Sequence, residues 1–231
     1  MNVLSVIPAR GGSKSIPKKN IQILNGYPLI KYSIDYSLKS KLVTKTIVST
    51  DDKKIADISI KYGAIVPFMR PKEFAKDHVQ DLPVFIHALE ITESFFSMKF
   101  DLIILLRPTS PLRPPDLIEK GIKLLKENPE GTSVRAVKRS EEHPYRQWFK
   151  DGEFIRGYFD QFNYSETYNL PRQKLNESFF QTGDIEIIRR ETLKSGSICG
   201  KKVIPIFIKK DQAHDIDNIE DLLRVKNKLN A

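Results

Sequence analysis

The stretch Val3 to Asn20, "VLSVIPARGGSKSIPKKN", runs from an apolar segment into a loop with two adjacent glycines and four cations, Arg10, Lys14, Lys18 and Lys19. "VLSVI" reads as a buried first strand. A loop between such a strand and the next helix lies at the carboxyl end of the sheet, where open α/β folds bind ligands. Gly11 and Gly12 let the backbone come close to a ligand, their amides can point at phosphate oxygens, and the cations supply charge. The loop is not a Walker loop, because the second glycine before the lysine is missing, and it does not match the dinucleotide fingerprint. Taken alone it also fits a solvated basic turn.

The rest of the chain supports an α/β frame. "PLIKYSIDYSLKS" puts Leu29, Ile30, Ser33, Ile34 and Ser37 on one helical face, with Pro28 in the first turn. "KTIVST" reads as a strand ending at Thr50, and a helix from Lys53 to Tyr62 is closed by Gly63. Asp81 opens a helix with Phe85, Ala88, Leu89 and Thr92 on one face; "DLIILL" is the next central strand. Pro115 and Asp116 then open a helix through Leu125, "TSVRAV" returns as a strand, and "DIEIIRR" and "KVIPIFI" supply two more. A last helix has Asn218 as N-cap and Ile219, Leu222, Leu223 and Val225 leaning inward.

This alternation predicts a three-layer, Rossmann-like, mostly parallel sheet covered by helices. The pattern breaks at 140–176, which is polar and aromatic and holds the hairpin-like "KDGEF" with Tyr158, Phe159, Phe162, Tyr164 and Tyr168. Such a segment cannot build its own core, so its rings must cover another surface, a subunit partner being one candidate. The expected organisation is one α/β domain, 1–139 and 177–231, carrying 140–176 as an excursion.

With 231 residues, 40% hydrophobic and 29% charged, the composition is that of a soluble protein. No apolar run approaches membrane-spanning length, and the start is too short and too basic for a signal peptide, so a cytoplasmic protein is expected. The single cysteine, Cys199, excludes an internal disulfide and reads as a buried free thiol. A net charge of +9 suits a polyanionic ligand or nucleic acid, and equally a lysine-rich soluble surface.

Two more clusters carry chemistry. In "AHDIDNIEDL", Asp215 and Asp217 alternate with Ile216 and so share one side of an extended segment, where two carboxylates can hold a hard cation; as isolated residues they would equally be turn and capping groups. "LLRPTSPLRPPD" leaves a strand through a proline-rich, rigid connection that exposes Arg107, Thr109, Ser110 and Arg113 at the same sheet edge. Arg70 and Asp77 in "MRPKEFAKD", Arg146 in "HPYRQ", and Arg172 with Gln173 in "LPRQ" are further candidates for pairing with carboxylates and phosphates.

Taken in order, "IPARGGSKSIPKKN", "IVSTDD", "RPKEFAKD", "LLRPTSPLR", "LPRQ" and "HDIDNIEDL" resemble the CMP-sialic acid synthetases, the acylneuraminate cytidylyltransferases, over nearly the whole chain. The resemblance implies transfer of CMP from CTP to a nonulosonic acid with release of pyrophosphate, using Mg2+. It implies that Arg10 and Lys19 contact the CTP phosphates, with Ala9, Gly11, Gly12, Ser13, Asn20 and Thr109 around the nucleotide. Arg70 and Asp81 fall at the cytidine, Asp81 reading the cytosine amine or only capping its helix. Asp215 and Asp217 fall at the magnesium, Asp217 or a water taking the hydroxyl proton, and Arg146, Arg172 and Gln173 lie near the sugar acid. The family is usually dimeric through an excursion like 140–176.

Two departures fall on the acceptor side. Arg107 stands where members that activate N-acetylneuraminic acid commonly have glutamine, and "FFQTGDIEII" brings Gln181, Thr182 and Asp184 to the sugar side in place of an asparagine-glycine pattern. The expected acceptor is therefore a variant acid of legionaminic or pseudaminic type, with no nucleic acid or membrane partner. The rival readings are a Kdo-type cytidylyltransferase and a basic nucleic-acid-binding protein without catalysis.

Overall fold

A computed structural model describes residues 1–162, 164 and 166–230, and the side chains of all of these except Asn230. Its centre is a sheet in the order β10-β6-β9-β5-β1-β4. The strands are β1 (Val3–Pro8), β4 (Lys45–Ser49), β5 (Leu102–Leu105), β6 (Ser133–Arg139), β9 (Phe179–Arg189) and β10 (Val203–Phe207). Every pairing is parallel except those of β9, which runs antiparallel to β5 and β6. A small hairpin, β2 (Ile23–Leu24) and β3 (Tyr27–Pro28), follows the basic loop, and a second, β7 (Trp148–Asp151) and β8 (Phe154–Gly157), lies in the excursion.

Helices cover both faces. On one face α1 (Leu29–Lys39), α2 (Lys53–Lys61) and α4 (Leu117–Glu127) press Ile30, Ile34, Ile55, Ile122 and Leu125 against Val3, Ile7, Ile104, Val134 and Ile187. On the other, α3 (Asp81–Phe96) and the short α5 (Arg190–Lys194) cover Leu4, Val6, Ile103, Leu105 and Ile188 with Phe85, Leu89 and Leu193. Strands buried on both faces read as continuous apolar runs, which is why β1 and β5 were legible. β6 and β9 extend past the helices and carry 140–178 as a separate excursion of hairpin and short 3-10 turns.

A third, smaller core positions the chemistry. Ile16 of the basic loop, Leu24, Leu29, Ile216 and Val225 of α6 (Ile219–Asn230) pack together, with Leu222 and Leu229 against them. Burying Ile16 and Ile216 in one cluster draws the basic loop and the Asp215–Asp217 segment to the same place. The inward stripe of α6 is thus Leu222, Val225 and Leu229; Ile219 and Leu223, expected inside, are 58% and 53% exposed. The helix cannot turn both sets toward one small cluster. Asn218 does cap it, its side-chain oxygen accepting from Asp221 N at 3.0 Å, while Asp221 accepts in return from Asn218 N.

Three other expectations are corrected. Gln80, not Asp81, occupies the N-cap of α3, and Asp81 is the first helical residue. Ser110 and Arg113, expected to be exposed, are 1% and 9% accessible. Arg113 donates to the carbonyl oxygens of Asp184 and Arg107 and to Ser33 Oγ, tying the ends of β5 and β9 to α1. Burial pulls its pKa down to about 10. Cys199 is free but only half-buried. Among the described residues no helix is long and apolar enough to cross a membrane.

Candidate active site

Two cavities open along the carboxyl edge of the sheet. The first, about 460 Å3, is lined by Arg10, Ser13, Lys14, Lys19 and Asn20 of the basic loop, by Arg70, Phe74, Lys76, Asp77 and Asp81, and by Arg107, Pro108 and Thr109. The second, about 230 Å3, is lined by Ser110, Lys138, Gln181, Thr182, Asp184, His214, Asp215, Asp217 and Arg224. Lys19 joins their walls. Its ammonium donates to Ile216 O at 2.9 Å and lies 3.9 Å from the Asp217 carboxylate.

The basic loop is held open by its own contacts. Asn20 donates to Arg10 O at 2.9 Å, closing the loop across its base. Gly11 packs against the start of α2, where an added Cβ would stand 2.9 Å from Asp52 Cβ, so no other residue fits without a shift. Its amide donates to Asp51 Oδ1 at 2.9 Å. That bond corrects the expectation that both glycine amides face a ligand. Ala9 is fully buried and donates to Ser49 O, so its place is in the strand end rather than the cavity wall.

Cations dominate the first cavity. Arg10 Nη1 and Lys14 Nζ both reach the Asp77 carboxylate, at 2.7 and 2.5 Å. The Lys14 hydrogen bond, with Arg10 behind it, holds Asp77 below the usual carboxylate range. Asp77 thus occupies the position between two cations that an anionic ligand would take. Lys18 is exposed in a left-handed conformation and does not line this cavity. Arg70 is 6% exposed and donates from Nε to Ser49 Oγ and from Nη2 to Ser49 O; burial pulls its pKa down to about 10, against the pull of Asp51 and Asp81.

Arg107 departs most from expectation. Burial alone would lower its pKa, but the carboxylates of Glu186 and Asp81 outweigh this and raise it. Its guanidinium meets Asp81 Oδ2 at 2.5 Å and Glu186 Oε1 at 2.7 Å. It therefore lines the first cavity as a bound group and not the second, where a sugar-side residue was expected.

β9 bulges where it lines the second cavity. Arg135 pairs with Glu186 and Val137 with Gln181, so Ala136 alone faces residues 182–185. The bulge turns Gln181, Thr182 and Asp184 toward Asp215. At Gly183 an added Cβ would lie 2.5 Å from Ser110 Oγ and 3.2 Å from Asp215 Oδ2. Asp215 accepts from Ile216 N at 3.1 Å and, weakly, from Ser110 Oγ at 3.4 Å. Burial raises the pKa of Asp184, whose Oδ1 has no partner among the described residues. Arg146, Arg172 and Gln173 are exposed in the excursion and line neither cavity of this chain.

Ser15, Phe74, Lys76 and Val79 at the first cavity, and Lys138, His214 and Arg224 at the second, were not singled out by sequence. Only their position after the "RP" turn or beside "HDID" could have suggested them.

A sheet of this topology, with a basic loop after β1 and two carboxylates on the same edge, defines an α/β enzyme of the nucleotide-binding kind. The chain belongs to the cytidylyltransferase family, whose model matches residues 4–224. It is 31% identical to the pseudaminic acid cytidylyltransferase of Campylobacter jejuni over 224 residues, 96% of this chain and 94% of that one. With the CMP-N,N'-diacetyllegionaminic acid synthase of Legionella pneumophila it shares 41% identity over 140 residues; that segment is 59% of this chain and 58% of the relative. The structure of a CMP:2-keto-3-deoxy-manno-octonic acid synthetase complexed with CTP superposes with a TM-score of 0.73 at 16% identity, covering 100% and 99% of the two chains, so the fold is the same.

Proposed function

We propose that the protein transfers CMP from CTP to a nonulosonic acid of legionaminic or pseudaminic type and releases pyrophosphate. The observation that carries this reading is the junction at Lys19, where a cation-lined cavity large enough for a nucleotide meets a smaller cavity bordered by Asp215 and Asp217. The names of the full-length Campylobacter relative and of the Legionella relative support the acceptor class.

In this reading the triphosphate lies along Arg10, Lys14 and Lys19, with Ser13 and Asn20 beside it, and the base lies toward Arg70 and Asp81. The anomeric hydroxyl attacks the α-phosphorus in line and pyrophosphate leaves. The cations offset the charge growing on the phosphate oxygens, so positioning and electrostatics carry most of the rate. Asp217, with its carboxylate 80% exposed, is open to accept the hydroxyl proton.

Asp215 and Asp217 would hold magnesium. They fit it: both border one cavity and both offer hard oxygen donors. Magnesium is commonly bound by one or two carboxylates completed by substrate phosphates, and it would supply charge neutralisation there.

The excursion would pair two copies. Trp148, Phe154 and Ile155 on its hairpin, and Phe180 and Phe207 near its base, are 45–76% exposed, an apolar face that a second copy would cover. Arg146 and Arg172 would then reach the partner's acceptor cavity. Mass spectrometry of the CMP-sugar formed from CTP and a panel of legionaminic, pseudaminic, N-acetylneuraminic and Kdo-type acids tests the acceptor. Turnover is expected for one of the first two, and a clear preference for either of the others would contradict the assignment.

A further inference from the structure

Five side chains form one unbroken line between the two cavities. Asp81 and Arg107 border the first cavity, and Gln181 borders the second. Arg107 bonds Asp81 at 2.5 Å and Glu186 Oε1 at 2.7 Å. The other oxygen of Glu186 accepts from Arg135 Nη2 at 2.5 Å, and Arg135 Nη1 donates to Gln181 Oε1 at 2.7 Å. Charges alternate along the line, and Glu186, at its centre, borders neither cavity and is only 7% exposed.

Strand register builds this line. Glu186 lies opposite Arg135 on β6 and opposite Leu105 on β5, and Arg107 stands two residues past Leu105. Neighbours across antiparallel strands and their diagonals lie within reach of long side chains, so one carboxylate bridges both arginines. The bulge that precedes Glu186 on β9 places Gln181 opposite Val137, two residues along β6 from Arg135. A guanidinium only donates, so Arg135 fixes which end of the Gln181 amide faces it and leaves the NH2 end for another acceptor.

We propose that Glu186 is a positioning residue that sets the Arg107–Asp81 wall of the nucleotide cavity and, through Arg135, the orientation of Gln181 in the acceptor cavity. The inference rests on the cytidylyltransferase reading above. Removing the charge of Glu186 leaves two guanidinium groups facing each other without their shared anion, so both ends of the line lose their register together. Truncation at either end disturbs one cavity alone.

The test is steady-state kinetics with CTP and the preferred acid on the full chain, together with calorimetric CTP binding and a thermal melt. Glu186→Gln is expected to raise the KM for both substrates about tenfold and to weaken CTP binding, on the scale of coupled charge pairs. Gln181→Ala raises only the acid's KM, and Asp81→Asn mainly that of CTP. A folded Glu186→Gln protein in which CTP affinity is unchanged, or in which only one KM moves, overturns the proposal. Should that variant melt below assay temperature, Arg135→Met decides. It is expected to raise the acid's KM and leave that of CTP unaltered, and an unaltered acid KM overturns the link. Wild-type protein that turns over no acid would contradict the functional reading instead, while calorimetry with CTP still reads Glu186 directly.

Discussion

The Lys19 ammonium donates to the carbonyl oxygen of Ile216 at 2.9 Å across 197 residues of chain, pinning the basic loop to the segment that carries both candidate metal carboxylates. The bond places a positive charge between the two cavities, and the shared core of Ile16 and Ile216 keeps it there. Lys19→Met should therefore cut turnover at least about 100-fold, the scale of a lost transition-state contact, with folding retained because the aliphatic stem still packs. Turnover within threefold of wild type would contradict this role.

Asp77 makes the opposite prediction. It accepts from Arg10 and Lys14, and in the proposed reading it would compete with the nucleotide phosphates for both cations. Asp77→Asn should tighten CTP binding about threefold, a change in the range of exposed ion pairs. Calorimetry reads it, and weaker binding in the variant would mean that Asp77 assists the nucleotide instead.

Gly183→Ala should damage chemistry more than CTP binding. Its Cβ would meet Ser110 Oγ at 2.5 Å, displacing the hydroxyl that supports Asp215, and all three residues line the second cavity and not the first. Turnover should fall about tenfold or more, because an overpacked site relieves its strain by shifting side chains such as Ser110 and with it Asp215, with the affinity for CTP within about twofold of wild type. Equal losses in both would point to general distortion of β9.

Much of the frame was legible because burial writes itself into local pattern. β1, β5 and the helical faces of α1 and α3 announce themselves by apolar spacing, and the basic loop by its place after β1. What stayed hidden depends on partners far away in sequence. Nothing near Glu186 reveals that it bridges arginines 51 and 79 residues away. Arg113 looked like an exposed loop cation and is a buried clamp, because its acceptors are carbonyl oxygens that any sequence would supply. In α6 the apolar residues spread around more of the helix than the small third core can cover, so spacing alone could not choose Leu222 and Val225 over Ile219 and Leu223.

Acid stability offers a check on the frame apart from function. Arg190 meets Glu93 through both carboxylate oxygens, at 2.7 and 2.9 Å, joining α5 to α3. The Arg190 hydrogen bond holds Glu93 below its ordinary value of 4.5. A carboxyl depressed in the folded state adds stability that is fully present above 4.5 and is lost as pH falls through the lower folded value. Arg190→Met should cost about 1 kcal/mol at neutral pH and flatten the acid limb below pH 4.5 in denaturant titrations. An acid limb identical to that of wild type would contradict this pairing.

If a cationic cavity and an acidic cavity meet at Lys19 to transfer CMP, pyrophosphate release from CTP is the decisive measurement. Release is expected only when a legionaminic- or pseudaminic-type acid is present, and it should be lost in folded Lys19→Ala and Asp217→Asn. Release without an acid, or full release in either variant, would contradict that transfer.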